Sequence, residues 1–195
     1  FTNSAQPGSI TIVKTVVGQA PPADWAYTGD LGAFTLPAVG GTSEPFSKAA
    51  GVYAINETAK PGYTQAVSCD SGETGEGAVT VSLQPGENVV CTLTNTAQPG
   101  TITIVKTGVG QVPPADWPYT GTLGDFTLPA IGGSREFAGL DAGYYTLTET
   151  EVPGYNQSVS CTSGDSGGGS VDVRLQPGAN VTCTFTNTAQ PGSIT

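Results

Sequence analysis

The sequence repeats itself with a period of 92 residues. Ala5-Gln6-Pro7-Gly8 returns at Ala97 (97 − 5), the Pro-Pro-Ala-Asp-Trp run ending at Trp25 returns at Trp117 (117 − 25), and Leu83-Gln84-Pro85-Gly86 returns at Leu175 (175 − 83). No insertion or deletion is needed to align the copies, and most positions are identical. A fixed period of this kind means that each copy is one structural unit, so whatever one copy folds into is built twice. The complete units are residues 5–96 and 97–188. Residues 1–4 match the end of a unit and residues 189–195 match the start of one, so further units are expected on either side. The copies diverge most at Thr42–Ala49 and near Glu73–Ala78, which read as surface loops, where change is tolerated.

Within each unit, short alternating runs of β-branched and aromatic residues are separated by Gly/Pro turns, the pattern of a sandwich or barrel. In the first copy the expected strands are 10–17, 25–28, 33–36, 51–57, 63–69, 78–83 and 89–96. Pro61-Gly62 and Pro85-Gly86 mark turns between them. No segment carries a helical apolar period. The connector between copies is short and contains Pro99, so neighbouring units are expected to be held stiffly. The expected fold class is therefore all-β: tandem β-sandwiches of Ig-like type, stacked end to end.

Composition excludes several function classes. The formal net charge is −10 with Lys+Arg 6 and no His, the reverse of the basic footprint that nucleic acid requires. No apolar run reaches the length needed to span a bilayer, so no membrane insertion is expected from this segment. The acids read as keeping a repetitive surface soluble. The four cysteines, Cys69, Cys91, Cys161 and Cys183, form no C-x-x-C pair and have no histidine with which to share a zinc ion. Two per unit at the same spacing (91 − 69 and 183 − 161) points to one disulfide in each, Cys69–Cys91 and Cys161–Cys183, and so to an oxidising compartment. No cofactor and no metal are expected.

Three polar residues in each unit fall on the face that should be apolar. Side chains alternate along a strand, so residues two apart share a face. Lys14 is in phase with Ile10 and Ile12, Asn95 with Val89, Cys91 and Leu93, and Glu57 with Tyr53 and Ile55. The second copy repeats this with Lys106, Asn187 and Glu149, and Lys14/Lys106 is the only basic position the copies share. An unpaired buried charge costs several kcal/mol. One reading is therefore structural: the lysine and glutamate sit at strand ends, pair with each other, or reach back to water. The other is chemical. In an apolar site a lysine sheds its proton and a glutamate keeps one. The neutral amine can then attack the asparagine side-chain carbonyl while the glutamate polarises it and relays protons, with the fold supplying proximity.

The segments around these residues resemble a known family. Ile10-Thr-Ile-Val-Lys14, the stretch Gly51–Tyr63 and Cys91-Thr-Leu-Thr-Asn95, with their counterparts at Ile102–Lys106, Gly143–Tyr155 and Cys183–Asn187, are similar to the Cna-B/SpaA-type (prealbumin-like) domains of bacterial surface adhesins and pili. The resemblance spans each repeat. It implies an intramolecular isopeptide bond between Lys14 and Asn95 promoted by Glu57, and between Lys106 and Asn187 promoted by Glu149. Asn3, at the end of the preceding unit, is an alternative partner for Lys14 if strands are exchanged between units. The sorting motif and polymerisation lysine of the family's pilins have no recognisable counterpart, and paired cysteines are not general to the family.

Other candidates are weaker. Asp70, Glu73 and Glu76 could surround a calcium ion, but the second copy keeps only Asp165. Trp25 and Tyr27, with Trp117 and Tyr119, could form a sugar platform, although their spacing suits a core strand. Asn56, Asn156 and Asn180 lie in short glycosylation sequons. The leading functional expectation is a structural stalk or filament segment of a secreted or cell-surface protein, not an enzyme. Its partners would be neighbouring repeats and other copies in a filament. The alternative is an adhesin repeat gripping a glycan or matrix protein through Thr42–Ala49 and Ser134–Asp141, which share only Glu44/Glu136.

Overall fold

The computed structural model describes residues 5–191 apart from Val112 and Pro114. Phe1–Ser4, with Asn3, and Gly192–Thr195 lie outside the described residues. The chain divides into two compact units between Gln98 and Pro99.

The first unit contains β1 (Gly8–Val17), β2 (Trp25–Gly29), β3 (Phe34–Leu36), β4 (Gly41–Thr42), β5 (Phe46–Lys48), β6 (Gly51–Glu57), β7 (Tyr63–Cys69), β8 (Thr74–Gly75), β9 (Ala78–Leu83) and β10 (Asn88–Ala97). All seven strands expected from the alternation pattern are present. One sheet runs β4-β1-β10-β7-β8, with β5 also on β1, and the other runs β3-β2-β6-β9. The first and last strands, β1 and β10, pair in parallel along their whole length, from Ser9 opposite Asn88 to Val17 opposite Thr96. Inward-facing residues of both sheets meet in one core that includes Ile10, Ile12, Trp25, Tyr27, Ile55, Val81, Cys91 and Leu93. Complete burial of side chains this large stabilises each by about 1.5–3 kcal/mol.

The second unit repeats the plan with β11 (Gly100–Val109), β12 (Trp117–Gly121), β13 (Phe126–Leu128), β14 (Gly133–Leu140), β15 (Gly143–Glu149), β16 (Tyr155–Cys161), β17 (Ser166–Gly167), β18 (Ser170–Leu175) and β19 (Asn180–Ala189). Its sheets run β14-β11-β19-β16-β17 and β13-β12-β15-β18. β11 and β19 are again parallel.

Two expectations are corrected. Thr42–Ala49 and Ser134–Asp141 are not variable loops. They form the edge strands β4 and β5 in the first unit and the continuous β14 in the second, all antiparallel to β1 or β11. An edge strand gains main-chain hydrogen bonds on one side only and here buries little, so its sequence need not alternate. The gap-free alignment also fails locally. It equates Pro45 with Phe137, but Phe46 lies opposite Ile10 as Phe137 lies opposite Ile102. The aromatic plug is kept, with Phe46 against Phe34 at 4.9 Å between ring centroids and Phe137 against Phe126 at 5.2 Å.

Candidate cross-linking site

Lys14 lies on β1, Asn95 on β10 and Glu57 at the end of β6 in the facing sheet. The parallel register sets Lys14 opposite Leu93 and Val16 opposite Asn95, so Lys14 and Asn95 share a face two positions apart. Tyr27 and Glu57 are cross-strand partners in the facing sheet. The site is therefore made by closing the two sheets of one sandwich over each other. All three polar residues are buried, as are Lys106, Glu149 and Asn187.

Lys14 Nζ is 2.8 Å from Glu57 Oε1, and both side chains are wholly shielded from solvent. The approach is an ion-pair distance, but it lies off hydrogen-bond alignment, leaving Nζ without an aligned acceptor. The same nitrogen sits 4.3 Å from the centre of the Trp25 ring. In the second unit Lys106 Nζ is 3.0 Å from Glu149 Oε1 and 4.4 Å from the Trp117 ring centre, with a long contact of 3.5 Å to the Phe185 carbonyl. Burial pushes both lysine amines below their ordinary 10.5, against the opposing pull of the neighbouring glutamate. The amine is thus closer to its neutral, nucleophilic form than a surface lysine.

The asparagines are the anomaly. Asn95 and Asn187 are completely buried, and in each both the side-chain nitrogen and the side-chain oxygen lack a hydrogen-bond partner. A carboxamide offers two donors and an acceptor oxygen with two lone pairs. Leaving such a group buried and unpaired costs about 1–3 kcal/mol, so two equivalent orphans in one chain call for a reason.

Cys69 is bonded to Cys91, and Cys161 to Cys183. Each bond ties directly opposed residues of neighbouring antiparallel strands, β7 to β10 and β16 to β19. The strand that carries the asparagine is thereby stapled on the side away from the lysine.

A family model described as a prealbumin-like fold domain, SpaA_2, matches residues 5–93 and again residues 96–185. The chain belongs to this prealbumin-like family. None of the curated proteins matches it. Among solved structures, the TIE protein of Bacillus anthracis is 16% identical with a TM-score of 0.51, covering 94% of this chain but 34% of its own. This chain thus spans about a third of that protein. The major pilin T-13 of Streptococcus pyogenes is 14% identical (TM-score 0.39; 96% of this chain, 98% of the pilin). A Mobiluncus mulieris adhesin, described as containing intramolecular disulfide, isopeptide and ester bond cross-links, is 12% identical (TM-score 0.42; 95% and 100%). At 16% identity the likeness to the TIE protein is one of fold alone.

Each prealbumin-like domain adds two side chains that sequence reasoning missed. The Tyr27 hydroxyl donates to Glu57 Oε1 at 2.9 Å, and Gln65 Nε2 donates to Glu57 Oε2 at 2.6 Å. The Tyr119–Glu149 and Gln157–Glu149 bonds repeat this at 2.9 and 2.8 Å. Burial and then the glutamate beside it push both phenols far above their usual 10. A signal for the glutamine was available: Gln65 is in phase with the core residues Val67 and Cys69, as Gln157 is with Val159 and Cys161.

The remaining candidates do other work. Trp25, Tyr27, Trp117 and Tyr119 are core residues, with at most 1% exposed, and present no sugar platform. Glu73 accepts the Ser82 N–H and Asp165 the Arg174 N–H, fixing a loop to a strand edge, and Asp70 accepts the Val90 N–H. Among the described residues no group of three or more potential metal ligands converges. Asn56, Asn156 and Asn180 are exposed; Asn56 and Asn156 directly precede the site residues Glu57 and Gln157 and fall on the opposite, outward face of their strands.

Proposed function

We propose that this chain is a structural segment of a secreted or cell-surface stalk or filament, in which each domain is locked by a Lys–Asn isopeptide bond and a disulfide. Neighbouring repeats and other copies of the protein are its partners, and it turns over no external substrate. The observation that carries this reading is the buried, unpartnered carboxamide of Asn95, and again of Asn187, on the same face as an amine paired with a buried carboxylate. Such a group is a poor structural element, and its carbonyl carbon, weakly electrophilic by itself, shares a face with an amine and with a carboxylate able to activate it. The disulfides favour an oxidising, extracellular setting. Among the described residues no helix is long and apolar enough to cross a membrane.

In the reaction, the Lys14 ammonium passes a proton to the Glu57 carboxylate. Neutral Nζ then attacks Asn95 Cγ, and Glu57 returns the proton to the carbonyl oxygen as the tetrahedral centre forms. The second Nζ proton travels through Glu57 to Nδ2, the Cγ–Nδ2 bond breaks, and the hydroxyl proton leaves with the departing nitrogen as ammonium. The balance is one ammonium plus one carboxamide giving one secondary amide plus one ammonium, with Glu57 regenerated and no redox partner required. Lys106, Glu149 and Asn187 take the same roles. Because β1 and β10 are the first and last strands of the domain, the new bond carries tension from one end of the domain to the other without loading the rest of the sandwich.

Intact-mass measurement tests this. The oxidised chain should be lighter than its sequence by one ammonia per domain, besides the hydrogens lost to disulfides, and Glu57→Ala should restore one ammonia. Peptide mapping should find Lys14 joined to Asn95. A mass equal to the unlinked sequence ends the proposal, and a Lys14–Asn3 peptide replaces it with a bond between units.

A further inference from the structure

Gln65 stands where the three parts of the site meet. It lies directly opposite Asn95 in the β7–β10 register, as Gln157 lies opposite Asn187. Its amide nitrogen binds Glu57 Oε2, whereas Oε1 receives the Tyr27 hydroxyl and faces the lysine. Each carboxylate oxygen is thus assigned to a different neighbour. A carboxylate held on one side only can rotate and exchange its oxygens, whereas one held on both sides presents a fixed oxygen to the amine.

The glycine at position 77 fits the same scheme. Its φ is +76°, and a Cβ built there would fall 2.6 Å from Gln65 Oε1. Gly169, 92 residues on, stands in the same way to Gln157. The carbonyls of these glycines accept the Glu57 and Glu149 N–H groups at 2.7 and 2.8 Å. One residue therefore anchors the backbone of the glutamate and leaves room for the amide that orients its side chain.

We propose that Gln65 and Gln157 are positioning residues for cross-linking, each seated against a glycine and holding the glutamate with Oε1 turned to the lysine. This rests on the isopeptide reading above.

The test follows bond formation in the full chain as it is made by cell-free translation, sampled over time by intact mass and peptide mapping. In Gln65→Leu the first domain should link about tenfold or more slowly, while the second domain of the same molecule links at the wild-type rate. Gly77→Ala should slow it as well, through the displaced amide and through the backbone that holds the Glu57 N–H. Gln65→Glu donates only when protonated, so its rate relative to wild type should recover as pH falls towards about 4–5. Limited proteolysis and disulfide content confirm that the variants fold. If the wild type never links, the proposed function falls and this inference with it. If the wild type links and Gln65→Leu keeps pace, only the inference falls. A Gln65→Glu ratio indifferent to pH, or a Lys14–Gln65 peptide, also overturns it.

Discussion

In the first domain the edge strand beside β1 is interrupted at Ser43-Glu44-Pro45, whereas in the second the matching strand runs unbroken from Gly133 to Leu140. Both strands carry one residue more than the ladder needs. The first domain places it between the Ile10–Phe46 and Val13–Thr42 pairs, where Pro45 has no N–H to give and the Ser43 hydroxyl accepts the Ile12 N–H instead. The second places it at Gly139, whose φ of +71° makes a bulge between the Gly100 and Thr101 pairings. The reacting groups show no such drift. The lysine–glutamate distances are 2.8 and 3.0 Å, and the tyrosine–glutamate distances are both 2.9 Å. An interior strand is held from both sides, so a one-residue slip would turn every side chain to the wrong face. An edge strand is held from one side and can absorb the surplus anywhere along its length.

The sharpest way to break this comparison is to remove the proposed Lys–Asn bond from one domain and leave it in the other. Asn95→Ala should cost the first domain about 4 kcal/mol, the closure entropy of a loop of 81 residues (95 − 14). The second domain should be unaffected, and Asn187→Ala should give the mirror result. Differential scanning calorimetry should then show two transitions where the wild type shows closely matched ones. Equal melting of both domains in Asn95→Ala would mean that the covalent bond does not distinguish them.

Disulfide loss should come next. Each bridge closes a loop of 22 residues, worth about 3 kcal/mol. Replacing both cysteines of one domain by alanine should lower that domain alone, by the same amount in either copy, as read from denaturant midpoints. The interior strands are alike, so a difference between copies of more than about 1 kcal/mol would show that the cores are not equivalent.

What the sequence revealed follows how much of each strand is buried. Alternation located every interior strand, because Ile10, Ile12 and Lys14, or Val89, Cys91, Leu93 and Asn95, keep period two across a buried face. The same alternation brought out Lys14, Asn95 and Glu57 as inward polar residues. It could not show which residues meet across the sandwich, since phase along a strand says nothing about the facing sheet. Tyr27 reads from the sequence as core or as part of a sugar platform, and its bond to Glu57 is not visible there. Gln65 was legible and was overlooked. The edge strands β4, β5 and β14 were illegible for a physical reason: Phe46 and Phe137 are the aromatic anchors of β5 and β14, and one inward residue makes no period, whereas β9, also an edge, buries Val79, Val81 and Leu83 and was legible.

Gly139 offers a smaller and cleaner probe of the edge. A Cβ there would meet nothing within 4 Å, so only its left-handed backbone resists substitution. Gly139→Ala should cost about 1 kcal/mol. Ser47, its partner in the sequence alignment, sits in ordinary strand conformation on β5, and Ser47→Ala should change stability by less than about 0.5 kcal/mol. Matched costs at the two positions would mean that the surplus residue is not where the register puts it.

The smallest expected effect separates linked from unlinked lysine by its proton. In Asn95→Ala, Lys14 remains an amine whose folded-state pKa is lowered, chiefly by burial, whereas the unfolded chain titrates near 10.5. Between those two values the unfolded state binds the proton and the folded state does not. Stability of the unlinked domain should therefore rise with pH across that window. In the wild type linked as proposed, the Lys14 nitrogen would be an amide with no proton to exchange, and this contribution would be absent. Tyr27 pulls the other way in both proteins: its phenol is raised by burial and by Glu57, so stability falls once unfolded tyrosine ionises near 10. Taking the difference between Asn95→Ala and wild type cancels that common loss. The stability deficit of the variant should accordingly narrow from neutral pH upward, measured by urea unfolding at matched ionic strength. A deficit that stays constant or widens would mean that Lys14 carries the same proton in the folded domain with and without Asn95.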